Sequence, residues 1–208
     1  MDGGYIGYAD NQDGTGLQAR VAAAYSNQSA DMTRTNLLGS ASRAKGDSAF
    51  VTYGFLGEAG WGFTVGSGTV LTPFIGLAAT NSTRESYSEG GKAGVVDTFS
   101  YDSYTATQVT GLAGLRVTGM LSDVVTYRLG AGLEHDFSYS LDAFKFSGDF
   151  GDASYDSDDT PADWRLVGTG GLSYLFAPNK EFSLDGYVSQ FTGDAANYGV
   201  TLGFRMGM

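Results

Sequence analysis

The final segment of the chain alternates without interruption between apolar residues and small or polar ones. The apolar positions are Tyr198, Val200, Leu202, Phe204, Met206 and Met208. The positions between them are Gly199, Thr201, Gly203, Arg205 and Gly207. A period of two places these sets on opposite faces of a β-strand. One apolar, partly aromatic face and one small or polar face are typical of a strand with lipid on one side and a polar lumen on the other.

The same alternation recurs upstream and predicts about eight long strands in all. In residues 125–137 one face holds Val125, Tyr127, Leu129, Ala131, Leu133 and Phe137, and the other holds Thr126, Arg128, Gly130, Gly132, Glu134 and Asp136. The remaining segments are residues 16–26, 48–61, 69–80, 108–121, 164–176 and 181–190. Because proline cannot donate a ladder hydrogen bond, we expect Pro73 near the start of its strand.

The connections between these segments alternate in length. Short turns occur at residues 64–68, 122–123 and 178–180, whereas long polar stretches occur at residues 27–47, 82–103 and 138–163. Outer-membrane barrels show this asymmetry, with short periplasmic turns and longer extracellular loops. A soluble β-sandwich would not show it so regularly.

Composition supports a β-fold and excludes several functional classes. Glycine accounts for 32 of 208 residues, about twice its average share of roughly 7%, and each interior glycine would weaken a helix by about 1 kcal/mol. The absence of cysteine excludes disulfides, thiolate metal sites and a cysteine nucleophile. A net charge of −11 without a basic cluster argues against nucleic-acid binding. No apolar run reaches the roughly 20 residues that a spanning helix needs.

These features predict an all-β, antiparallel, transmembrane β-barrel of the bacterial outer membrane, with eight or more strands. We expect residues 1–208 to form one domain, since no segment resembles a linker between two cores. Residues Met1 to Gly4 have neither the basic nor the apolar region of a signal peptide, so we expect the N-terminus to be either a processed end or an artificial one.

The inward faces of the predicted strands hold ionisable side chains of both signs. They are Arg20, Glu58, Arg116, Arg128, Glu134, Asp136, Arg165, Asp185 and Arg205. One interpretation is a charged lumen that contacts a plug helix or a passing polypeptide. The other is a mutually neutralised network that satisfies polar groups away from bulk water. The two interpretations are compatible.

No catalytic, cofactor or metal site is predicted. His135, the only histidine, falls on the outward face beside Phe137, away from any buried nucleophile that a triad would need. We expect it in an interfacial aromatic belt. Further belt candidates are Tyr25, Tyr53, Trp61, Tyr127, Trp164, Phe176 and Phe182.

One loop is rich in aspartate but lacks the spacing and terminal glutamate of an EF-hand. Its acidic residues are Asp149, Asp152, Asp156, Asp158, Asp159 and Asp163. We interpret it as a solvated acidic loop, with weak divalent-ion bridging to lipopolysaccharide as the alternative.

Several segments resemble the C-terminal β-barrel translocator domain of autotransporters, the classical type V secretion barrels. The matching stretches are Leu71 to Gly76, an Arg84 to Glu89 segment ahead of a loop, Gly114 to Arg116, and Gly130 to Phe137. The last strand resembles the signal recognised by the barrel-assembly machinery, although Met208 stands where the family usually has phenylalanine. The resemblance covers about residues 5–208.

The resemblance implies a twelve-stranded barrel with a pore helix, of which residues 16–208 would supply the last eight strands and Tyr5 to Asp10 the tail of another. It implies export of an N-terminal passenger without a cofactor. The implied partners are a passenger or pore helix in cis, outer-membrane lipid and lipopolysaccharide, the barrel-assembly machinery and periplasmic chaperones. Some autotransporters cleave their passenger with lumenal acids, so Glu134 and Asp136 are candidates for that role.

A second hypothesis follows from the need of a barrel to close and remove its sheet edges. Residues 16–208 would then form a self-contained eight-stranded barrel with a lumen filled by side chains. Such a protein would act structurally or adhesively through its long loops.

Overall fold

The computed structural model describes residues 2–35, 43–66, 68–90, 98–148, 151–156, 164–190 and 196–206. The strands in these ranges are β1 Asp2–Ala9, β2 Gly16–Thr35, β3 Arg43–Thr64, β4 Thr69–Arg84, β5 Tyr87–Ser88, β6 Phe99–Tyr101, β7 Tyr104–Ser122, β8 Val125–Leu141, β9 Phe144–Gly148, β10 Gly151–Tyr155, β11 Trp164–Ala177, β12 Lys180–Gln190 and β13 Ala196–Met206. Within the described ranges, no helix has the length and apolar character needed to cross a membrane.

Nine of these strands form one antiparallel sheet, in the order β1-β2-β3-β4-β7-β8-β11-β12-β13. Every neighbour in this sheet is also the next long strand in the sequence, so the chain runs up and down. The turns at residues 10–15, 123–124 and 178–179, together with the described residues 65, 66 and 68, define its short-turn end. The opposite end, which we call the long-loop end, carries the two long connections, from β4 to β7 and from β8 to β11. All eight predicted strands are confirmed.

The N-terminal strand corrects the hypothesis of an eight-stranded barrel. All eight residues of β1 pair with β2, from Asp2 with Tyr25 to Ala9 with Gln18. The other edge of β2 pairs with β3. Because β2 is occupied on both edges, it cannot close a barrel against β13, and the proposal that residues 16–208 form a self-contained barrel is wrong.

The strands also extend further than the apolar alternation indicated. The ladder between β2 and β3 runs without a register shift from Gly16 and Gly62 to Thr35 and Arg43. Much of the polar stretch 27–47, predicted as a loop, is therefore strand. Backbone pairing does not require apolar side chains, so the ladder continues past the point where the apolar face ends.

The sheet has the opposite polarity to a soluble protein. Apolar side chains on one face are exposed, and examples are Ile75, Leu115, Leu129, Leu166, Val200 and Leu202. Polar side chains on the other face are buried, and they include Ser26, Glu58, Thr72, Thr110, Arg165 and Ser173. The predicted alternation of faces is therefore present in the structure.

The polar face is the concave one. Arg20 of β2 and Thr201 of β13 line the same cavity of about 300 Å³, although six strands separate β2 from β13 in the sheet. Only a strongly curled sheet brings such distant strands to one space. We call this space the lumen.

Two local irregularities interrupt the ladders. The pairing of β3 with β4 skips the positions opposite Pro73 and resumes at Phe63 and Leu71, whereas on the other edge of β4 Pro73 stays in register with Leu115 of β7. Pro73 is the fifth residue of β4, close to the predicted strand start. A bulge in β8 leaves Phe137 unpaired, since Val109 pairs with Ser138 and Thr110 with Asp136.

A second sheet of four short strands, in the order β10-β9-β6-β5, lies at the long-loop end, and we call it the loop sheet. Its strands come from two regions predicted as long polar stretches, residues 82–103 and 138–163. Tyr87 pairs with Tyr101 and Tyr101 with Phe146, so aromatic side chains share one face. Backbone hydrogen bonds in both directions between Lys45 and Gly90 join it to β3.

The pairing of β1 can be tested by cross-linking, because the chain has no native cysteine. We expect Tyr5→Cys with Ala22→Cys to form a disulfide under mild oxidation, since paired residues in antiparallel strands have Cα atoms about 4.5–5.5 Å apart. Non-reducing gel mobility and mass spectrometry measure the yield. Tyr5→Cys with Ser26→Cys, four residues out of register, is the matched control. Equal yields from both pairs would contradict this position of β1.

Candidate functional site

The nine ionisable residues predicted to face inward all lie on strands of the curled sheet, and each of them forms an ion pair. They group into four clusters rather than one continuous network. Each arginine contacts a carboxylate at 2.5–3.1 Å. The lumen is therefore lined by paired charges.

Glu58 is the centre of the first cluster. One of its carboxylate oxygens accepts a hydrogen bond from Arg20 at 2.8 Å, and the other accepts one from Arg116 at 2.9 Å. Arg116 reaches across β4 to do so, and its guanidinium lies 4.7 Å from the centre of the Phe74 ring. The Glu58 side chain is only 6% exposed, so two cations compensate for the loss of its hydration.

Arg165 is the centre of the second cluster and is the most enclosed arginine of the set. It donates to both oxygens of Asp136 at 2.5 and 2.8 Å and to Glu134 at 3.1 Å. Thr110 donates to Asp136 at 2.6 Å. Such a bidentate arginine pair is geometrically specific, and it joins β7, β8 and β11 on the lumenal side.

The other two clusters are more exposed. Arg128 donates to Asp185 at 2.8 Å and to Ser173 at 2.9 Å, which joins β8, β11 and β12. Arg205 donates to Glu181 at 2.6 Å between the last two strands, but its side chain is 80% exposed. Glu181 was missed in the sequence, although it lies on the same face as Asp185 and pairs directly with Arg205 in the β12–β13 ladder.

The geometry of Asp136 and Glu134 disfavours the role of passenger cleavage. Both oxygens of Asp136 are already occupied by Arg165 and Thr110, and Glu134 binds the same arginine. A general acid or base needs an available oxygen and a suitably tuned pKa. These carboxylates are arranged as ion-pair partners.

His135 lies among aromatic rings on the outer face. Its ring stacks on Trp164 at 4.5 Å between centroids and meets Phe137 edge-on at 5.2 Å. Tyr25 and Tyr53 contact each other at 5.2 Å, and Phe176 stacks on Phe204 at 6.0 Å. These contacts give the outer surface two groups of aromatic residues, one toward each end of the sheet.

The spacing of these groups agrees with the thickness of a membrane. Tyr53 and Trp61 are eight residues apart on the outer face of β3, about 26 Å at roughly 3.3 Å per residue. The apolar band of an outer-membrane barrel is about 25 Å tall and is bordered by aromatic girdles. Beyond Tyr53, β3 projects for ten more residues toward the long-loop end.

A further ion pair holds the loop sheet and was not anticipated from the sequence. Arg34 of β2 donates to both oxygens of Glu89, at 3.0 and 2.8 Å. Burial raises the pKa of Glu89, but hydrogen bonds from Arg34, the Phe99 backbone and Tyr101 outweigh it, so the pKa lies below its ordinary value. Arg34 and Glu89 are 55 residues apart in the sequence, so no local pattern predicts that they pair.

The acidic loop is described only in part. Asp152 lies in β10 with an exposed side chain, and Asp156 follows that strand. The other members of the predicted loop, Asp149, Asp158, Asp159 and Asp163, lie outside the described residues. Among the residues that are described, no group of three or more histidines or carboxylates could hold a metal ion.

Comparisons with known proteins agree with this architecture. The family model described as the autotransporter β-domain matches residues 3–189. The translocator domain of the autotransporter NalP from Neisseria meningitidis has a similar fold, with a TM-score of 0.70 and 19% sequence identity. The match covers 98% of this chain and 65% of that structure. None of the curated proteins matches the sequence.

Loss of Arg165 is expected to be the most damaging change in the lumen. Arg165→Gln leaves Asp136, which is 1% exposed, without its cation, and we expect a cost of about 3–5 kcal/mol. Arg205→Gln removes an equivalent but exposed pair, and the expected cost is about 0–1 kcal/mol. Urea unfolding in lipid vesicles measures both values. Equal losses would contradict the assignment of Arg165 as the structural centre.

The loop-sheet ion pair is expected to respond to acid. Since Glu89 titrates at lower pH in the folded protein than in the unfolded chain, its stabilising contribution is present at neutral pH. That contribution is lost as the pH falls through the lowered pKa. Near-ultraviolet circular dichroism of the surrounding aromatic residues should change only below the ordinary range of glutamate titration. Glu89→Gln should remove this transition, and its persistence in that variant would assign it to another group.

Proposed function

Because the chain belongs to the autotransporter β-domain family, we propose that it serves as a translocator, which anchors in lipid and helps an N-terminal passenger reach the cell surface. The chain is a protein of the bacterial outer membrane. In this proposal the short-turn end faces the periplasm and the long-loop end faces the outside. The observation that best supports the translocator proposal is the polarity of the curled sheet. Its outer face is apolar and its lumenal face is charged.

The ion pairs that line the lumen are compatible with the passage of a polypeptide along its surface. The lumenal arginines already have carboxylate partners, so a passing chain would meet hydrated polar groups but few unpaired charges that could hold it. The proposed mechanism contains no catalytic step. Folding of the barrel and folding of the passenger outside would supply the free energy.

The proposed partners follow from the same orientation. The exposed apolar face would contact outer-membrane lipid, and the loops would lie beside lipopolysaccharide. A passenger or pore helix in cis would occupy the lumen. Insertion would require periplasmic chaperones and the barrel-assembly machinery.

The last strand is the proposed assembly signal. Within β13, Tyr198, Val200, Leu202, Phe204 and Met206 are all exposed on the outer face. Five of the six proposed signal residues thus lie on one continuous apolar face of the strand, which supports this proposal. Met208, the sixth, lies outside the described residues.

Surface display tests the proposed function. A folded reporter is placed ahead of the β-domain in the complete gene product, and its exposure to protease added to intact Gram-negative cells is measured. We expect cleavage of the reporter at the surface. A reporter that stays protected while the β-domain is correctly inserted would overturn the translocator proposal.

A matched pair of variants tests the two faces of β13. Val200→Arg places a charge against lipid, four residues from Phe204 of the aromatic group, at a cost of about 2–4 kcal/mol near the middle of the bilayer, and we expect little inserted protein. Thr201→Arg places the same charge in the lumen, beside the cavity that Arg20 also lines, and we expect normal insertion. Heat-modifiable gel mobility of outer-membrane fractions measures insertion. Similar insertion of both variants would contradict the assignment of faces.

A further inference from the structure

The projecting parts of β2 and β3 are covered on their lumenal side. Along β3, Ala44, Gly46 and Ser48 are buried, whereas Arg43, Lys45 and Asp47 between them are exposed. The ladder has no register shift between this region and Glu58, so the buried positions lie on the lumenal face. Another part of the chain therefore packs against the lumenal side of these projecting strands, which we call the wall, beyond the aromatic girdle.

The loop sheet and the segment leading into it form this cover. Ser48 donates a hydrogen bond to the carbonyl oxygen of Glu85 at 2.8 Å. A side chain at Gly46 would place its Cβ 2.6 Å from the Tyr87 ring, so only glycine lets the ring approach this closely. The chain after β4 thus turns inward, over the lumen, instead of outward into solvent.

Two arginines on the lumenal faces of the wall hold the aromatic face of the loop sheet. Arg34 donates hydrogen bonds to both carboxylate oxygens of Glu89, and its guanidinium lies 4.6 Å from the centre of the Phe99 ring. Arg84 of β4 lies 5.2 Å from the Tyr87 ring and 5.3 Å from the Phe144 ring. Cations over aromatic faces are attracted to the ring electrons.

The opposite face of the loop sheet is polar. Ser88, Ser100, Lys145 and Ser147 are exposed there. The sheet combines strands from the β4–β7 and β8–β11 connections, so neither loop can move independently of the other without separating β6 from β9. This sheet has one apolar side turned toward the wall and lumen and one hydrophilic side turned to solvent.

We propose that the loop sheet is a lid over the long-loop end of the lumen, held shut by a latch in which Arg34 binds Glu89 and Arg84 packs among the aromatic rings. The lid closes the lumen to large solutes from outside and opens as a unit when the latch breaks. The inference takes from the proposed function only the orientation of the chain in the membrane.

Cysteine labelling on intact cells tests the lid without requiring passenger export. The complete gene product carries one engineered cysteine, and a membrane-impermeant maleimide is added outside. Ala44→Cys, which is 2% exposed beneath the lid, should react slowly. Ser147→Cys on the outer face of the lid should react quickly. Failure of Ser147→Cys to react would contradict the orientation, and thus the proposed function, rather than the lid.

Two variants open the latch by different routes. Glu89→Gln weakens the pair with Arg34, and Gly46→Val displaces the Tyr87 ring from the wall. Both should increase the labelling rate of Ala44→Cys by about tenfold or more. Glu181→Gln, which weakens an arginine pair at the short-turn end, is the matched control and should leave the rate unchanged. The proposal is overturned if neither latch variant increases the rate, or if Ala44→Cys already reacts as fast as Ser147→Cys.

A disulfide lock tests closure directly. Lys45 and Gly90 exchange backbone hydrogen bonds, a geometry that brings Cα atoms to about 5.5 Å, within the range of a disulfide. In planar bilayers, Glu89→Gln should increase the open fraction of the complete protein. Oxidised Lys45→Cys/Gly90→Cys should decrease it, and a reducing agent should restore it. Unchanged current in all three conditions would show that the loop sheet does not close the lumen.

Discussion

The structure depends first on the backbone hydrogen bonds of its nine-stranded ladder. Hydrocarbon offers no partner to an amide or carbonyl group, so a chain that crosses it must satisfy these groups internally. Antiparallel pairing does so on both edges of the seven strands that lie between β1 and β13 in the sheet, and on the inner edges of β1 and β13 themselves. Once the ladder is fixed, alternate side chains point to opposite faces. The polarity of each face is therefore set by register, and a slip of one residue would exchange lipid-facing and lumenal residues.

The charged residues of the lumen are partly removed from water, and ion pairing compensates for this. A charge in a partly enclosed space loses hydration, and only close partners compensate for it. Glu58 receives two arginines, and Arg165 receives two carboxylates, so each enclosed centre has more than one partner. The exposed pair of Arg205 and Glu181 needs less compensation because water reaches it. The enclosed charged residues therefore have more ion-pair partners than the exposed ones.

Period-two alternation predicted all eight strands from residue 16 onward and the faces of their side chains, because both properties are local. It did not predict the extension of β2 to Thr35 or the loop sheet. These segments have no lipid-facing side, so their apolar residues are not required at every second position. The alternation also could not predict which charged residues pair with one another in the lumen. Arg116 bonds to Glu58 across an intervening strand, and that contact arises only from the curl of the sheet.

The β2–β3 hairpin beyond the girdle consists of a backbone ladder with exposed outer side chains such as Ser29, Asp31 and Thr33. The ladder and the covered inner positions stabilise this region. Its outer side chains therefore contribute little to the stability of the fold. They can change one at a time without loss of the fold. In the proposed orientation, these outer residues face the cell exterior, so a part of the molecule that an antibody or a phage would meet is also one in which the sequence can diverge freely.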